Sequence, residues 1–187
     1  MDEQEAISKL KQGDIAGLEV LVDLHYVRAA RAAYLVLQER SSAEDVVQSA
    51  FLRVFERAEQ FDPHRPFGPW FMRIIVNDAV KVARRQQRDL SLDAKADGDG
   101  EQSLFQILQS HAAGPEEVAE KTEVRQAIWD ALGALSPENR SAVVLHYFLG
   151  FQQAEIAERT GAPVGTVKRR LHDARRRLRV LLAGVRS

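Results

Sequence analysis

QQAEIAERTGAPVGTVKRRLHDARRRLR, residues 152–179, carries the clearest structural pattern of the chain. Its apolar residues recur at helical spacing on both sides of one glycine, Gly161, and Pro163 follows two positions later. Glycine supplies the left-handed residue that ends one helix, and proline suits the first turn of the next. Two helices, about 152–160 and 163–182, joined by so tight a turn have the layout of a helix-turn-helix. Ile156 and Ala157 point to the junction. In the second helix Val167, Leu171, Ala174 and Leu178 are spaced four, three and four apart and make one buried face. At about 100° per residue, Arg169 and Arg176 fall almost opposite that face. Gly165, His172 and Asp173 flank them. Lys168 to Arg179 holds seven Lys/Arg against one acid, Asp173. A face of one sign beside the turn is the chemistry that meets base edges and phosphates in a major groove. Arg177 and Arg179 lie beyond its groove-facing half, where phosphate contact or plain solvation fits them better. A merely solvated helix end is the competing reading, and the single sign of the charge argues against it.

Working outward, nearly every other apolar stretch also has helical period, and strand-like alternation is absent, so the expected fold is all-α. Ser136-Pro137 is a cap followed by proline and opens a helix over about 137–149, which Gly150 stops. Pro115, with Glu116, Glu117 and Glu120 in the first turn, opens another that runs to about Leu135. Toward the N-terminus, Ile15 to Gln38 is one long amphipathic candidate. Ser41-Ser42-Ala43-Glu44 has the form of a capping box and opens a helix over about 43–58. There Val46, Val47, Ala50, Phe51, Val54 and Phe55 form an apolar stripe. FDPHRPFGPW, residues 61–70, carries three prolines and a glycine and reads as a loop. A further helix, about 70–88, ends on Lys81, Arg84, Arg85 and Arg88, cations that suit the negative end of its dipole.

The stretch between these halves changes character. DLSLDAKADGDGEQ, residues 89–102, is acidic, contains glycine and has few large apolar residues, so it reads as a flexible acidic linker. LFQIL, residues 104–108, is a short docking candidate within it. The expected organisation is two small helical domains, 1–90 and 115–187, joined by a linker over 91–114. Charge is blocked along the chain: −4 over 1–60, +3 over 61–90, −6 over 91–140 and +6 over 141–187, for a net charge of −1. Two basic blocks set among acidic ones suggest two anion-binding surfaces. They also suggest that the basic domains of the free chain fold back on the acidic linker.

Several function classes are disfavoured. With no cysteine among 187 residues, disulfides and thiolate zinc sites are ruled out. The histidines at 25, 64, 111, 146 and 172 are scattered without metal-ligand spacing, so neither a metal nor another cofactor is expected. MDEQEAISKLKQGD lacks the plan of a signal peptide, and no apolar run approaches the ~20 residues of a membrane span. A cytoplasmic protein is the expectation. Hydrolytic metal chemistry would need clustered carboxylates on a basic face. Asp173 stands alone on one, and Asp62 and Asp78 lack a third ligand on the other, so no enzyme is expected.

Residues 134–178, ALSPENRSAVVLHYFLGFQQAEIAERTGAPVGTVKRRLHDARRRL, resemble the promoter-binding fourth domain of extracytoplasmic-function (group IV) sigma factors of bacterial RNA polymerase. Leu135-Ser136-Pro137, Glu155-Ile156-Ala157 and Pro163-Val164-Gly165-Thr166-Val167-Lys168 carry that resemblance. Ala43-Glu44-Asp45-Val46-Val47-Gln48 with Phe51-Leu52-Arg53-Val54-Phe55 is similar to the family's polymerase-clamp helix. Trp70-Phe71-Met72-Arg73-Ile74-Ile75-Val76-Asn77 resembles the helix that melts and holds the minus-ten element. Three departures stand out: Ser49 for a frequent glutamate, Arg169 for a common small residue, and Asp173 for a common arginine.

The resemblance implies a sigma factor that binds core polymerase at its clamp and flap regions and directs promoter recognition, DNA melting and initiation. Polymerase would be gripped through Asp45, Val46, Gln48, Phe51, Leu52 and Phe55, and also by the surface of the 137–149 helix. The minus-ten element would be held by Phe61, Trp70, Arg73, Asn77, Lys81, Arg84, Arg85 and Arg88. The minus-thirty-five element would be read by the helix-turn-helix from Gln153 to His172 and its flank, through Gly165, Thr166, Lys168, Arg169, Arg170, His172 and Arg176. An anti-sigma partner and a nucleoid association through polymerase are further implications. A melted base needs an aromatic pocket, an amide for its edge and cations for its backbone, which Phe61, Asn77 and the basic residues supply in kind. Core packing remains open for Phe61, Trp70 and Phe71, and a buried hydrogen bond for Asn77. A helix-turn-helix regulator of another kind, with residues 1–90 as a partner-binding domain, is the alternative.

Overall fold

The computed structural model describes residues 1–92 and 115–184. Every regular element among them is helical: α1 (Glu3–Lys11), α2 (Ile15–Leu37), α3 (Arg40–Glu56), a single 3-10 turn (Ala58–Gln60), α4 (Phe67–Leu92), α5 (Pro115–Gly133), α6 (Pro137–Val143) running into a π-helical turn (Val144–Phe148), α7 (Gln153–Thr160) and α8 (Val164–Leu181). The expected linker, including LFQIL, lies outside the described residues except where α4 runs into it as far as Leu92.

Local chemistry sets the ends of these helices. Asp2 and Asp14 cap α1 and α2, each carboxylate accepting a backbone N–H of the first turn at 2.8 and 2.9 Å. The two helices then approach so closely that a Cβ at Gly17 would sit 2.3 Å from the Ala6 carbonyl oxygen, so only glycine fits there. α3 starts at Arg40 rather than Ala43. Its cap is Glu39, whose carboxylate accepts from Ser41 N and Ser42 N, each at 2.9 Å. Glu44 closes no capping box and pairs with Arg40 at 2.7 Å. α4 begins at Phe67, three residues before the expected start. Pro69 is tolerated because the N–H groups of a first turn have no intrahelical partner to lose. α5 stops at Gly133, and the expected 137–149 helix holds α geometry only to Val143 before widening to π. Ser136 caps it as expected, accepting from Asn139 N at 3.3 Å. Gly150 and Gly161 take φ +81° and +67°, the left-handed turns that the two glycines foretold.

Glu39 gives a first testable result. Partial burial alone would raise its carboxyl, but the hydroxyl and amide donors of Ser41 and Ser42 outweigh that and hold it near 2, from an ordinary 4.5. A carboxyl lowered on folding contributes stability above its unfolded value and loses it as pH falls toward the folded one. Glu39→Ala is expected to cost about 1 kcal/mol at pH 7 in urea unfolding, with the difference from the parent shrinking between about pH 4.5 and 2.

The apolar stripes pack as read. Val46, Val47, Ala50, Phe51 and Val54 of α3 are buried against α2 and α4, and Phe55 is half-buried. Phe51, Phe67 and Phe71 stack near His25, whose Nε2 lies 2.7 Å from Glu3 Oε2. In α8, Val167, Leu171 and Ala174 are buried and Leu178 half-buried. The two helical units do not stand apart. α6 packs on α2 and α4, and α7 on α4. One apolar cluster continues from Ile7 through Phe71 to Leu145, Ile156 and Leu171.

Candidate nucleic-acid interface

The first surface is built on α4. A cleft of about 370 Å³ lies along it, lined by Trp70, Arg73, Ile74, Asn77, Asp78 and Lys81, with Arg53, Val54, Arg57 and Gln60 on the facing wall. Arg73 and Lys81 are exposed, while Trp70 and Asn77 are half-buried. The cleft thus combines an aromatic plane, an amide and several cations. Asp78 lines it too and orders the cations, forming ion pairs with Arg53 and, at 3.0 Å, with Lys81.

Phe61 needs a correction. Its ring is buried at 6% exposure against Phe67 and Trp70, with centroids 5.6 and 4.8 Å away, so it backs Trp70 and does not face a ligand. The proline loop turns the chain sharply enough to fold that ring under the start of α4. Arg53, Arg57 and Gln60 were missed. Their signal was the run of three- and four-residue steps that leads off the exposed side of α3 toward the loop. Arg84 is exposed but paired with Glu138 of α6. Arg85 and Arg88 are exposed farther along α4.

The second surface is the outer face of α8. Gly165, Lys168, Arg169, His172 and Arg176 are all exposed, and Thr166 is half-buried. Arg169 and Arg176 stand opposite the buried Val167, Leu171 and Ala174, as the spacing requires. Asp173 is half-buried beside them. Arg170 departs from the expected set. It lines a cleft of about 440 Å³ between α8 and α4, together with Asn77, Lys81, Arg84 and Glu138. One step of about 100° turns it from the outer face toward that seam.

The third surface is the outer face of α3. Asp45, Gln48 and Leu52 are exposed on one side, with Leu52 61% exposed, and Phe55 is half-buried at their edge. Val46 and Phe51 are 7% and 5% exposed, and Phe51 lies 4.4 Å from the Phe71 ring, so both belong to the core and neither is presented on the outer face. The residues of one amphipathic helix divide between its two faces, and the expected set had mixed them.

Arg140 was also missed. Its guanidinium is buried, donating to the carbonyl oxygens of Val36 at 2.7 Å, Gly133 at 2.9 Å and Leu135 at 3.0 Å. Burial pushes its pKa below the ordinary arginine value. Inside a short polar run, ENRS, nothing marks it as a core residue. Among the described residues no cluster of three or more His, Asp or Glu could hold a metal ion, and no helix is long and apolar enough to cross a membrane.

Comparison with known proteins covers both helical units. The family described as sigma-70 region 2 matches residues 21–89, and sigma-70 region 4 matches residues 125–178. The chain is 30% identical over 173 residues to the ECF RNA polymerase sigma factor SigW of Bacillus subtilis, covering 92% of each chain. It is 33% identical over 179 residues to the ECF RNA polymerase sigma factor SigL of Mycobacterium tuberculosis, covering 94% of each. Among solved structures it is similar to CnrH in complex with the cytosolic domain of CnrY, with TM-score 0.64, 25% identity and 97% of each chain covered. The sigma factor RpoE bound to the anti-sigma factor NepR from Bartonella quintana has the same fold, with TM-score 0.64 at 22% identity over 90% of this chain and 98% of that one.

Proposed function

The chain belongs to the ECF RNA polymerase sigma factors, and on that premise we propose how its three surfaces divide the work of transcription initiation. The outer face of α3, through Asp45, Gln48, Leu52 and the edge of Phe55, docks on the polymerase clamp. The α4 cleft holds a base of the melted minus-ten strand against Trp70, with the Asn77 amide at its edge. Arg53, Arg57, Arg73 and Lys81 neutralise the backbone, and Arg85 and Arg88 extend that track. The outer face of α8 enters the major groove of the minus-thirty-five element. There Arg169 is placed for a base edge, while Lys168, His172 and Arg176 are placed for phosphates. The observation that carries this reading is one cleft offering an aromatic plane, an amide and four cations, the set that single-stranded nucleic acid requires. A regulator that reads only duplex DNA has no use for such a cleft. Binding and melting, with no covalent chemistry by the chain itself, make up the activity.

Residues 1–90 and 115–187 act as the two promoter-reading units, joined through 91–114. Because CnrH is described in complex with CnrY and RpoE with the anti-sigma factor NepR, we propose that an anti-sigma partner controls this chain too. Its place of work is the cytoplasm, on the nucleoid through polymerase.

Core binding tests the docking surface directly. The folded chain is expected to bind purified core polymerase. Leu52→Ala and Asp45→Ala should each weaken that binding roughly tenfold, as interface anchors do. Both side chains are exposed, so the thermal unfolding midpoint should stay within a few degrees of the parent. A folded chain with no affinity for core polymerase contradicts the reading.

A further inference from the structure

The α4 cleft is braced from behind by α1, a helix that lies N-terminal to the stretch matched by sigma-70 region 2. Ala6, Ile7 and Leu10 are buried along one face of α1, which packs on α2 and on the 3-10 turn that leads into Phe61. The two ends of α1 reach the two ends of the proline loop. Where the loop starts, the Lys11 ammonium donates to the Phe61 carbonyl oxygen at 3.1 Å. Where it ends, Glu3 holds His25 at 2.7 Å, and the His25 ring lies 5.1 Å from that of Phe67. A Cβ at Gly68 would come 3.1 Å from His25 Cε1, so the imidazole fits tightly under the first turn of α4. Phe61 and Phe67 are in turn the rings on which Trp70 rests.

A lysine in the last turn of a helix ordinarily does no more than suit the negative end of the dipole. Lys11 does more: it is half-buried and bonded to a residue 50 positions away. It does not line the cleft, so it is not placed to touch a strand there. Its base is fixed. The Glu3–His25 pair pins the far end of α1, and the close approach at Gly17 seats its middle against α2. The loop itself has little to hold it, since Asp62 to Pro66 are all exposed. We infer that Lys11 is a positioning residue for promoter opening: by holding the Phe61 carbonyl it sets the Phe61 ring beneath Trp70, and so fixes the indole plane on which a melted base stacks. This role rests on the assignment of Trp70 to the minus-ten strand. A plane fixed in advance spares the binding step the cost of ordering it, so releasing Lys11 weakens stacking without removing any group that touches the base.

Lys11→Met keeps the length of the side chain and deletes the donor, while Lys11→Arg keeps a cationic donor. Both full-length variants are assembled with core polymerase on a promoter taken from a randomised library. Opening is read from 2-aminopurine in the minus-ten strand, with and without Trp70→Ala. Lys11→Met should open promoters roughly 5- to 10-fold less than the parent, the scale of one hydrogen bond from a charged donor. Lys11→Arg should recover most of that loss. Binding to core polymerase should not change, and the thermal midpoint should stay within a few degrees, because the half-buried Lys11 leaves no cavity behind. In the Trp70→Ala background, Lys11→Met should cost no more than about a further twofold, since two residues acting through one ring are not additive. The salt slope of strand affinity should also stay unchanged, whereas a lost phosphate contact would reduce it by about 0.7. Normal opening by Lys11→Met overturns the role. So does an equal loss in both backgrounds, which general destabilisation would give, a loss that Lys11→Arg shares in full, or a reduced salt slope, which marks direct contact with the strand. Trp70→Ala scored alone separates the two failures. Normal opening by that variant sinks the proposed function together with the Lys11 role, whereas a defect in Trp70→Ala beside normal opening by Lys11→Met sinks the Lys11 role alone.

Discussion

Trp70→Ala is expected to reduce promoter opening by the polymerase complex about 10- to 100-fold, while binding to core polymerase stays within about twofold. Trp70 is half-buried, resting on Phe61 and Phe67 on one side and turning toward the cleft on the other. Stacking of a base on an aromatic ring is worth about 1–3 kcal/mol by alanine substitution, and about 1.4 kcal/mol is a factor of ten. The loss should appear in the fluorescence of 2-aminopurine placed in the minus-ten strand. Truncation also removes part of the Phe61–Phe67 packing, so Trp70→Phe serves as the control. It keeps a stacking plane and should recover most of the opening. If Trp70 served only the core, the alanine variant would lose stability and, wherever it remains folded, open promoters normally.

Replacing Arg169 and Arg176 together by alanine should weaken binding of duplex minus-thirty-five DNA about 100-fold and leave thermal stability nearly unchanged. Both side chains are exposed on α8, opposite its buried Val167, Leu171 and Ala174, so their removal opens no cavity. The two substitutions should differ when separated. A guanidinium on a base edge discriminates among bases by about 1–3 kcal/mol, so Arg169→Ala should relax sequence preference at one position. A phosphate contact carries no sequence information. Arg176→Ala should therefore weaken all duplexes alike and reduce the slope of log affinity against log salt by about 0.9. Titrations of fluorescent duplexes at several salt concentrations separate the two.

The parts of this site legible in the sequence were those fixed by a single helix. The four-three-four spacing of Val167, Leu171, Ala174 and Leu178 placed Arg169 and Arg176 outside, and the glycines at 150 and 161 marked their turns. What escaped depended on contacts between elements. Phe61 looked like a loop aromatic free to meet a base, but the proline turn drives its ring beneath Trp70. Val46 and Phe51 were grouped with exposed neighbours because the polymerase-clamp motif runs along the chain, whereas burial follows the helix face. Glu39 took the cap expected of Ser41 because a carboxylate one position before α3 reaches two amides at once. Arg140, sealed between α2 and the stretch leading into α6, could not be told from a solvated arginine, since its partners are carbonyls distant in sequence. The direct packing of the two units on each other had the same cause. The charge blocks pointed instead to the linker, which lies outside the described residues.

Run-off transcription with purified core polymerase and a randomised promoter library separates a sigma factor from a regulator that reads duplex DNA alone. Transcripts should appear only when the chain is added, the selected templates should share two separated elements, and the Trp70→Ala and Arg169→Ala/Arg176→Ala proteins should lose most of the product. Equal transcription with and without the chain, or selected templates with a single shared element, would contradict the account.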